Sequence, residues 1–227
     1  MDAARDAAAD LTRPTWILAK RQTGARGRRS RAWAMPEGNF AASLVFRPQG
    51  PVDQIALRSF AAACALRAAL IEVGTPPGAL SLKWPNDVLL HGGKLAGILL
   101  ESLGDGRGGV SHLVIGIGVN LATAPGAESV EPGAVPPVAL GIGVSPEDFL
   151  HALAPAYAAR EESLATYGFA PTRAEWLSHA ARLGETLTAR LPNEEITGVF
   201  KDIDEAGNLI LTTSRGARSI AAGDIYF

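Results

Sequence analysis

The chain has 227 residues, of which 47% are apolar, and carries a formal net charge of −2 at pH 7. This length suits one large domain or a domain with a small module, and the apolar share supplies a packed core. A pI near 6.1 disfavours binding driven by neutralising many nucleic-acid phosphates, and a single cysteine, Cys64, excludes an intramolecular disulfide.

The start, Met1 to Asp6, lacks the basic and apolar regions of a signal peptide. Arg58, Arg67 and Glu72 interrupt the most apolar segment, so no membrane span is expected. The expectation is a soluble, cytoplasmic protein.

In chain order, residues 2–9 read as a short Ala-rich helix and 16–19 as a strand. Residues 40–46 form an unbroken apolar strand that stops at Arg47-Pro48. Residues 52–73 predict a helix capped by Asp53 and ended by Gly74, with Cys64 on its buried side. Two apolar runs, 82–90 and 94–101, joined at Gly92-Gly93, read as a hairpin, and 113–121 as a buried strand. Ser145-Pro146-Glu147-Asp148 opens a helix over 146–167, followed by a second over 171–182. After Gly184, short alternating strands at 186–190, 196–202, 208–213 and 219–221 predict a small β-barrel. The class is α+β, an antiparallel or mixed sheet with packed helices and a small all-β tail.

The segment Gln22-Thr23-Gly24-Ala25-Arg26-Gly27-Arg28-Arg29-Ser30-Arg31-Ala32-Trp33 holds four arginines within six positions. It has neither helical nor strand periodicity and reads as a loop. It is either a solvated basic loop or one that wraps a small anionic ligand, with Arg forks on its oxygens and Trp33 as an apolar wall.

Lys83-Trp84-Pro85-Asn86-Asp87 breaks a strand at Pro85. Asn86 and Asp87 there are ordinary turn residues or turn toward a ligand. Lys94 is an edge lysine, or an ammonium facing an anion within an apolar segment. Asn120 ends an apolar strand as a satisfied terminus or as a partner for a heterocycle edge. The histidines lack metal-ligand spacing, and Gly116-Ile117-Gly118 does not continue into a dinucleotide-binding pattern.

Together, the segment Gln22 to Trp33, Lys83-Trp84-Pro85-Asn86-Asp87 with Lys94-Leu95-Ala96-Gly97-Ile98-Leu99-Leu100-Glu101, and Ile115-Gly116-Ile117-Gly118-Val119-Asn120-Leu121 resemble the bacterial biotin–protein ligases over nearly the whole chain. The resemblance implies the monofunctional type without a DNA-binding domain. It implies a catalytic domain like that of class II aminoacyl-tRNA synthetases over 1–182 and an SH3-like β-barrel over 183–227. The implied reaction makes biotinyl-5'-AMP from biotin and ATP, with Mg2+, and passes biotin to a lysine of a carrier domain of a biotin-dependent carboxylase. No DNA or membrane partner is implied, and the chain is expected as a monomer or homodimer.

Carried over residue by residue, Lys94 and Arg28 become catalytic, and Gln22, Arg26, Gly27, Arg28 and Lys94 contact biotin. Arg29, Arg31, Trp33, Lys83, Asn86, Asp87 and Asn120 attend ATP or the adenylate, with Asp87 also a metal ligand. A lipoate or octanoate ligase of the same fold and a non-catalytic biotin or nucleotide sensor are the alternatives.

The sequence departs from the family pattern at Gly24-Ala25 and Ser30. An Ala25 forced to positive φ is expected to be strained by about 1 kcal/mol. The family's Ser-Thr strand end falls just ahead of Met1, so a start further upstream is expected, and the chain as written should bind biotin more weakly.

Overall fold

The computed structural model describes residues 1–27, 33, 35–126 and 133–226. Arg28, Arg29, Ser30 and Arg31 lie outside the described residues.

In chain order the first part comprises α1 (Asp2–Ala7), β1 (Thr15–Leu18), β2 (Phe40–Phe46), α2 (Arg58–Glu72), β3 (Leu80–Lys83), β4 (Asp87–Leu90), β5 (Gly93–Gly104), β6 (Val110–Val119), α3 (Pro146–Tyr167) and α4 (Phe169–Ser178). The six strands form one sheet in the order β1-β2-β6-β5-β4-β3. Every neighbouring pair is antiparallel, and the short turns joining β3, β4, β5 and β6 suit that pairing.

The two faces of this sheet are covered differently. Phe40, Ala42, Leu44 and Phe46 of β2 and Leu113, Ile115, Ile117 and Val119 of β6 join the core formed with α2 and α3. On the opposite face, Ala4 and Ala8 pack on Val45 and Val114. Strand alternation puts Gly116 and Gly118 on that second face. Register pairs them with Leu99 and Gly97 of β5, and that face carries the candidate site.

α2 is buried nearly all round, which explains its Ala-rich sequence. With the preceding 3-10 turn it spans Val52–Glu72, 21 residues that do reach the length and apolarity of a membrane span. This corrects the sequence reading, but 67% of the most apolar window is buried inside the fold, so its apolarity serves the core. Burial pushes the Cys64 thiol well above its usual range, as expected for an inert core cysteine.

Other differences have local causes. Residues Val52–Leu57 are 3-10 rather than α, and Pro51, not Asp53, stands at the N-cap without a side-chain cap. The β4–β5 turn uses His91 and Gly92, both at positive φ, the geometry of a tight hairpin turn. Pro85 marks the turn of a β3–β4 hairpin rather than a break in one strand. α4 stops at Ser178 because His179 and Ala181 hydrogen-bond across to Leu82 of β3.

The second sheet contains β7 (Thr186–Arg190), β8 (Glu195–Ile203), β9 (Leu209–Thr213), β10 (Gly216–Ile220) and β11 (Asp224–Tyr226). Its order is β10-β9-β8-β7-β11, and among the described residues no pairing joins β10 to β11 into a closed barrel. β11 is a three-residue strand that sequence periodicity did not reveal.

Candidate active site

A cavity of about 500 Å³ opens on the sheet face opposite α2 and α3, a size suited to a small-molecule ligand. Gln22, Arg26, Gly27, Trp33, Lys83, Asn86, Asp87, Lys94 and Asn120 all line it. These are the sequence-derived candidates within the described residues, contributed by the Arg-rich segment, the β3–β4 hairpin, β5 and the end of β6.

The floor is backbone. Gly97 and Gly118 face each other across β5 and β6, and Trp33 lies on them: a Cβ at Gly118 would stand 2.7 Å from the indole Nε1. A Cβ at Gly116 would meet the Met1 sulfur at 2.2 Å. Only glycine permits such close approach. These floor residues, with Ser43, were missed in the sequence; the signal available was glycine at alternate positions of β6, which strips side chains from one face.

The turn between β3 and β4 presents charge. Lys83 and Asp87 are register partners at its base, and both are largely buried. Asp87 Oδ1 lies 2.8 Å from Lys94 Nζ, and Asp87 Oδ2 lies 3.9 Å from Lys83 Nζ. Lys94 Nζ also stands 5.6 Å from the Trp33 ring centroid, within cation–π range. Two ammonium groups share one carboxylate, so the cluster favours an anionic ligand. Asn86 fixes the turn to β5: its side-chain amide donates to the Ile98 carbonyl, and Ile98 N–H donates to the Asn86 carbonyl at 3.0 Å.

The Asn120 side chain donates to the Val138 carbonyl at 3.1 Å, while Lys94 N–H bonds Pro136 and Val138 N–H bonds Lys94. These bonds lay the segment around Pro137 along the start of β5, where it walls the cavity. Gly223, Asp224, Ile225 and Tyr226 around β11 also line the cavity, so the second sheet contributes to the wall.

Trp33 N–H donates to the Ala25 carbonyl at 3.3 Å and closes the base of the Arg-rich loop. Ala25 has no positive φ; among the described non-glycine residues only His91 and Arg182 do. The strain expected there is absent because this backbone does not need the glycine-favouring region. The Arg26 guanidinium donates to both Asp2 oxygens, at 2.8 and 3.1 Å, and to Glu101 Oε1, at 3.0 and 3.2 Å. These bonds raise its pKa further, the Asp2 bond contributing most, and the bond from Arg26 lowers that of Asp2. Arg26 lines the cavity while its fork is engaged by those two carboxylates.

Among the described residues no three His, Cys, Asp or Glu side chains group as metal ligands. Asp87 already faces two ammonium groups. This donor set does not fit a resident protein-held metal.

Residues 3–120 match the sequence pattern of the biotin/lipoate A/B protein ligase family, and residues 183–227 match the biotin protein ligase C terminal domain. The chain belongs to the biotin/lipoate A/B protein ligase family. It is similar to a biotin–[acetyl-CoA-carboxylase] ligase of Paracoccus denitrificans, 52% identical, with 96% of this chain and 92% of that protein covered. It is 31% identical to the bifunctional ligase/repressor BirA of Bacillus subtilis, covering 93% of this chain and 65% of that longer protein. Its fold is similar to that of the Aquifex aeolicus biotin protein ligase in complex with biotin and ATP, with a TM-score of 0.79, 24% identity, and 95% and 89% of the two chains covered. Within this ligase family, the cavity between the Arg-rich segment and the glycine floor is the candidate catalytic site.

Proposed function

We propose that this cavity performs both half-reactions of a biotin–protein ligase. The carboxylate of biotin attacks the α-phosphorus of ATP, forming biotinyl-5'-AMP and releasing pyrophosphate. A carrier-protein lysine amine then attacks the acyl carbon, giving the biotinylated lysine and AMP. The observation that carries this reading is the convergence of Lys94, Asp87, Lys83 and Asn86 beside a backbone floor and the Arg-rich segment.

Catalysis of this type rests on positioning and charge stabilisation. Lys94 leaves Asp87 to bridge the biotin carboxylate and the α-phosphate, where a compact ammonium follows charge moving between the two. Arg28 joins it as a catalytic cation on the acyl-phosphate. Gln22 and the backbone at Gly27 face the biotin rings, and Arg26 holds the base of the loop that closes over them. Arg29 and Arg31 take the phosphate side. Trp33, Lys83, Asn86, Asp87 and Asn120 border the nucleotide, Asn120 through the segment it pins. Magnesium enters as MgATP, held mainly by the nucleotide's own phosphates.

The catalytic unit is residues 1–182, with residues 183–227 as the accessory sheet. The acceptor is a biotin carboxyl carrier domain of a biotin-dependent carboxylase. The reaction is placed in the cytoplasm.

The test offers purified protein MgATP, a carrier domain, and biotin or lipoate in turn. Biotin-dependent pyrophosphate release followed by carrier labelling is expected. Release with lipoate alone overturns the biotin assignment, and no release with either acid replaces it with a non-catalytic sensor.

A further inference from the structure

Of the five residues Lys83 to Asp87, four line the cavity and one does not: Trp84. Its side chain is buried on the other side of the turn, at 3% exposure. There the indole N–H donates to the Gly207 carbonyl at 3.0 Å, across 123 residues of sequence. We propose that Trp84 is a positioning residue through which the C-terminal sheet holds the Lys83–Asp87 turn in the geometry that engages the nucleotide. The proposal rests on the assignment of that turn to the nucleotide.

The acceptor is held from both sides. Gly207, at φ +82, presses against the start of α2 and the 3-10 turn before it, where a Cβ would come within 2.8 Å of Phe60 and 3.1 Å of Leu57. Asp204 ties the turn itself: its Oδ1 accepts from Ala206 N–H at 3.0 Å and Asn208 N–H at 2.8 Å. Its Oδ2 accepts from the Asn208 amide at 2.9 Å and the Ser219 hydroxyl on β10 at 3.1 Å. Arg173 of α4 adds bonds to Asp202 and the Ile203 carbonyl at the end of β8. A continuous series of directional bonds therefore runs from β10 through Asp204 and Gly207 to Trp84. The same turn is also gripped by Asn86 at Ile98 of β5, and from α2 by Ser59, whose Oγ lies 3.4 Å from the Pro85 carbonyl.

Burial alone does not account for the indole bond. The Trp176 indole N–H is also buried in this core, without a hydrogen-bond partner among the described residues. A buried donor left unpaired costs stability, and the fold accepts that cost at Trp176. At Trp84 the bond joins two turns whose relative placement sets where Lys83, Asn86 and Asp87 stand.

The experiment measures the ATP KM and kcat of biotin-dependent pyrophosphate exchange, with the biotin Kd measured separately without nucleotide. Trp84→Phe keeps an aromatic ring, though a smaller one, and removes the donor. It is expected to raise the ATP KM by about fivefold or more while the biotin Kd stays within about twofold. Asp204→Asn, on the C-terminal sheet and away from the cavity, is expected to move the ATP KM in the same direction and carries the test should Trp84→Phe fail to fold. A lowered melting temperature with an unchanged ATP KM in both variants overturns the proposal, because that is the signature of a purely structural bond. Asp87→Asn separates the two levels: an unchanged ATP KM there removes the nucleotide assignment itself, whereas a raised one beside an unaltered Trp84→Phe removes only the positioning role.

Discussion

Lys94 Nζ and Asp87 Oδ1 face each other at 2.8 Å across β4 and β5. The side chains are 31% and 11% exposed, so the pair stands where a ligand can reach the ammonium while the carboxylate stays sheltered. Lys94→Ala is expected to slow adenylate formation by about a hundredfold or more, about 2.7 kcal/mol of lost charge stabilisation. Single-turnover formation of biotinyl-AMP measures it; a change below about threefold would reduce Lys94 to a structural partner of Asp87, since β5 lies inside the sheet and is not an edge strand as the sequence had allowed.

Arg26 spans Asp2 and Glu101 as a two-sided fork. A lysine carries the charge but lacks the fork. Arg26→Lys and Glu101→Gln should each weaken biotin binding and adenylate retention about threefold to tenfold. Their double-mutant coupling should be about 1 kcal/mol, since the side chains are partly exposed. Additive effects would show that the two residues act independently.

Much of this architecture was legible in the sequence, for reasons that differ by element. β2 and α3 fall at the residues expected. An unbroken apolar run admits one reading for β2, and Ser145 caps α3 by accepting from Asp148 N–H. Lys83, Asn86, Asp87, Lys94 and Asn120 stood out as polar groups within or beside apolar strands, Gln22, Arg26, Gly27 and Trp33 through the Arg-rich loop, and their roles came from the family resemblance. The glycine floor and β11 were not, because a surface made of missing side chains and a three-residue strand leave little periodicity. Nor does local sequence carry the Trp84–Gly207 bond or the Arg26 fork, which depend on tertiary register.

Gly118→Ala tests the floor directly. Its added methyl would sit 2.7 to 2.9 Å from three indole atoms of Trp33, forcing the ring away. Isothermal titration should show biotin affinity falling about tenfold, with little change in melting temperature. Gly104→Ala on the neighbouring strand β5, where the nearest atom is 3.9 Å away, should leave affinity unaltered.

His112 provides a pH signature away from the cavity. Burial first, then the Arg47 charge, lowers its pKa below the usual 6.5, and its Nε2 lies 3.3 Å from Arg47 Nε. The unfolded chain thus binds the proton more tightly than the folded one. The associated stability is complete above the unfolded pKa and is lost as pH falls through the lowered folded value. Thermal melts between about pH 7 and pH 5 should fall more steeply for the native protein than for His112→Gln. Parallel slopes would assign the acid sensitivity to other groups.

The Gly97–Gly118 pair has a thermodynamic consequence beyond fit. Side chains that line a pocket hold several rotamers when it is empty and lose that freedom when a ligand arrives. A floor of paired strand backbone has no rotamers to lose, and its shape is maintained by ladder hydrogen bonds on both sides. The floor itself therefore adds little conformational entropy cost to binding in this part of the cavity.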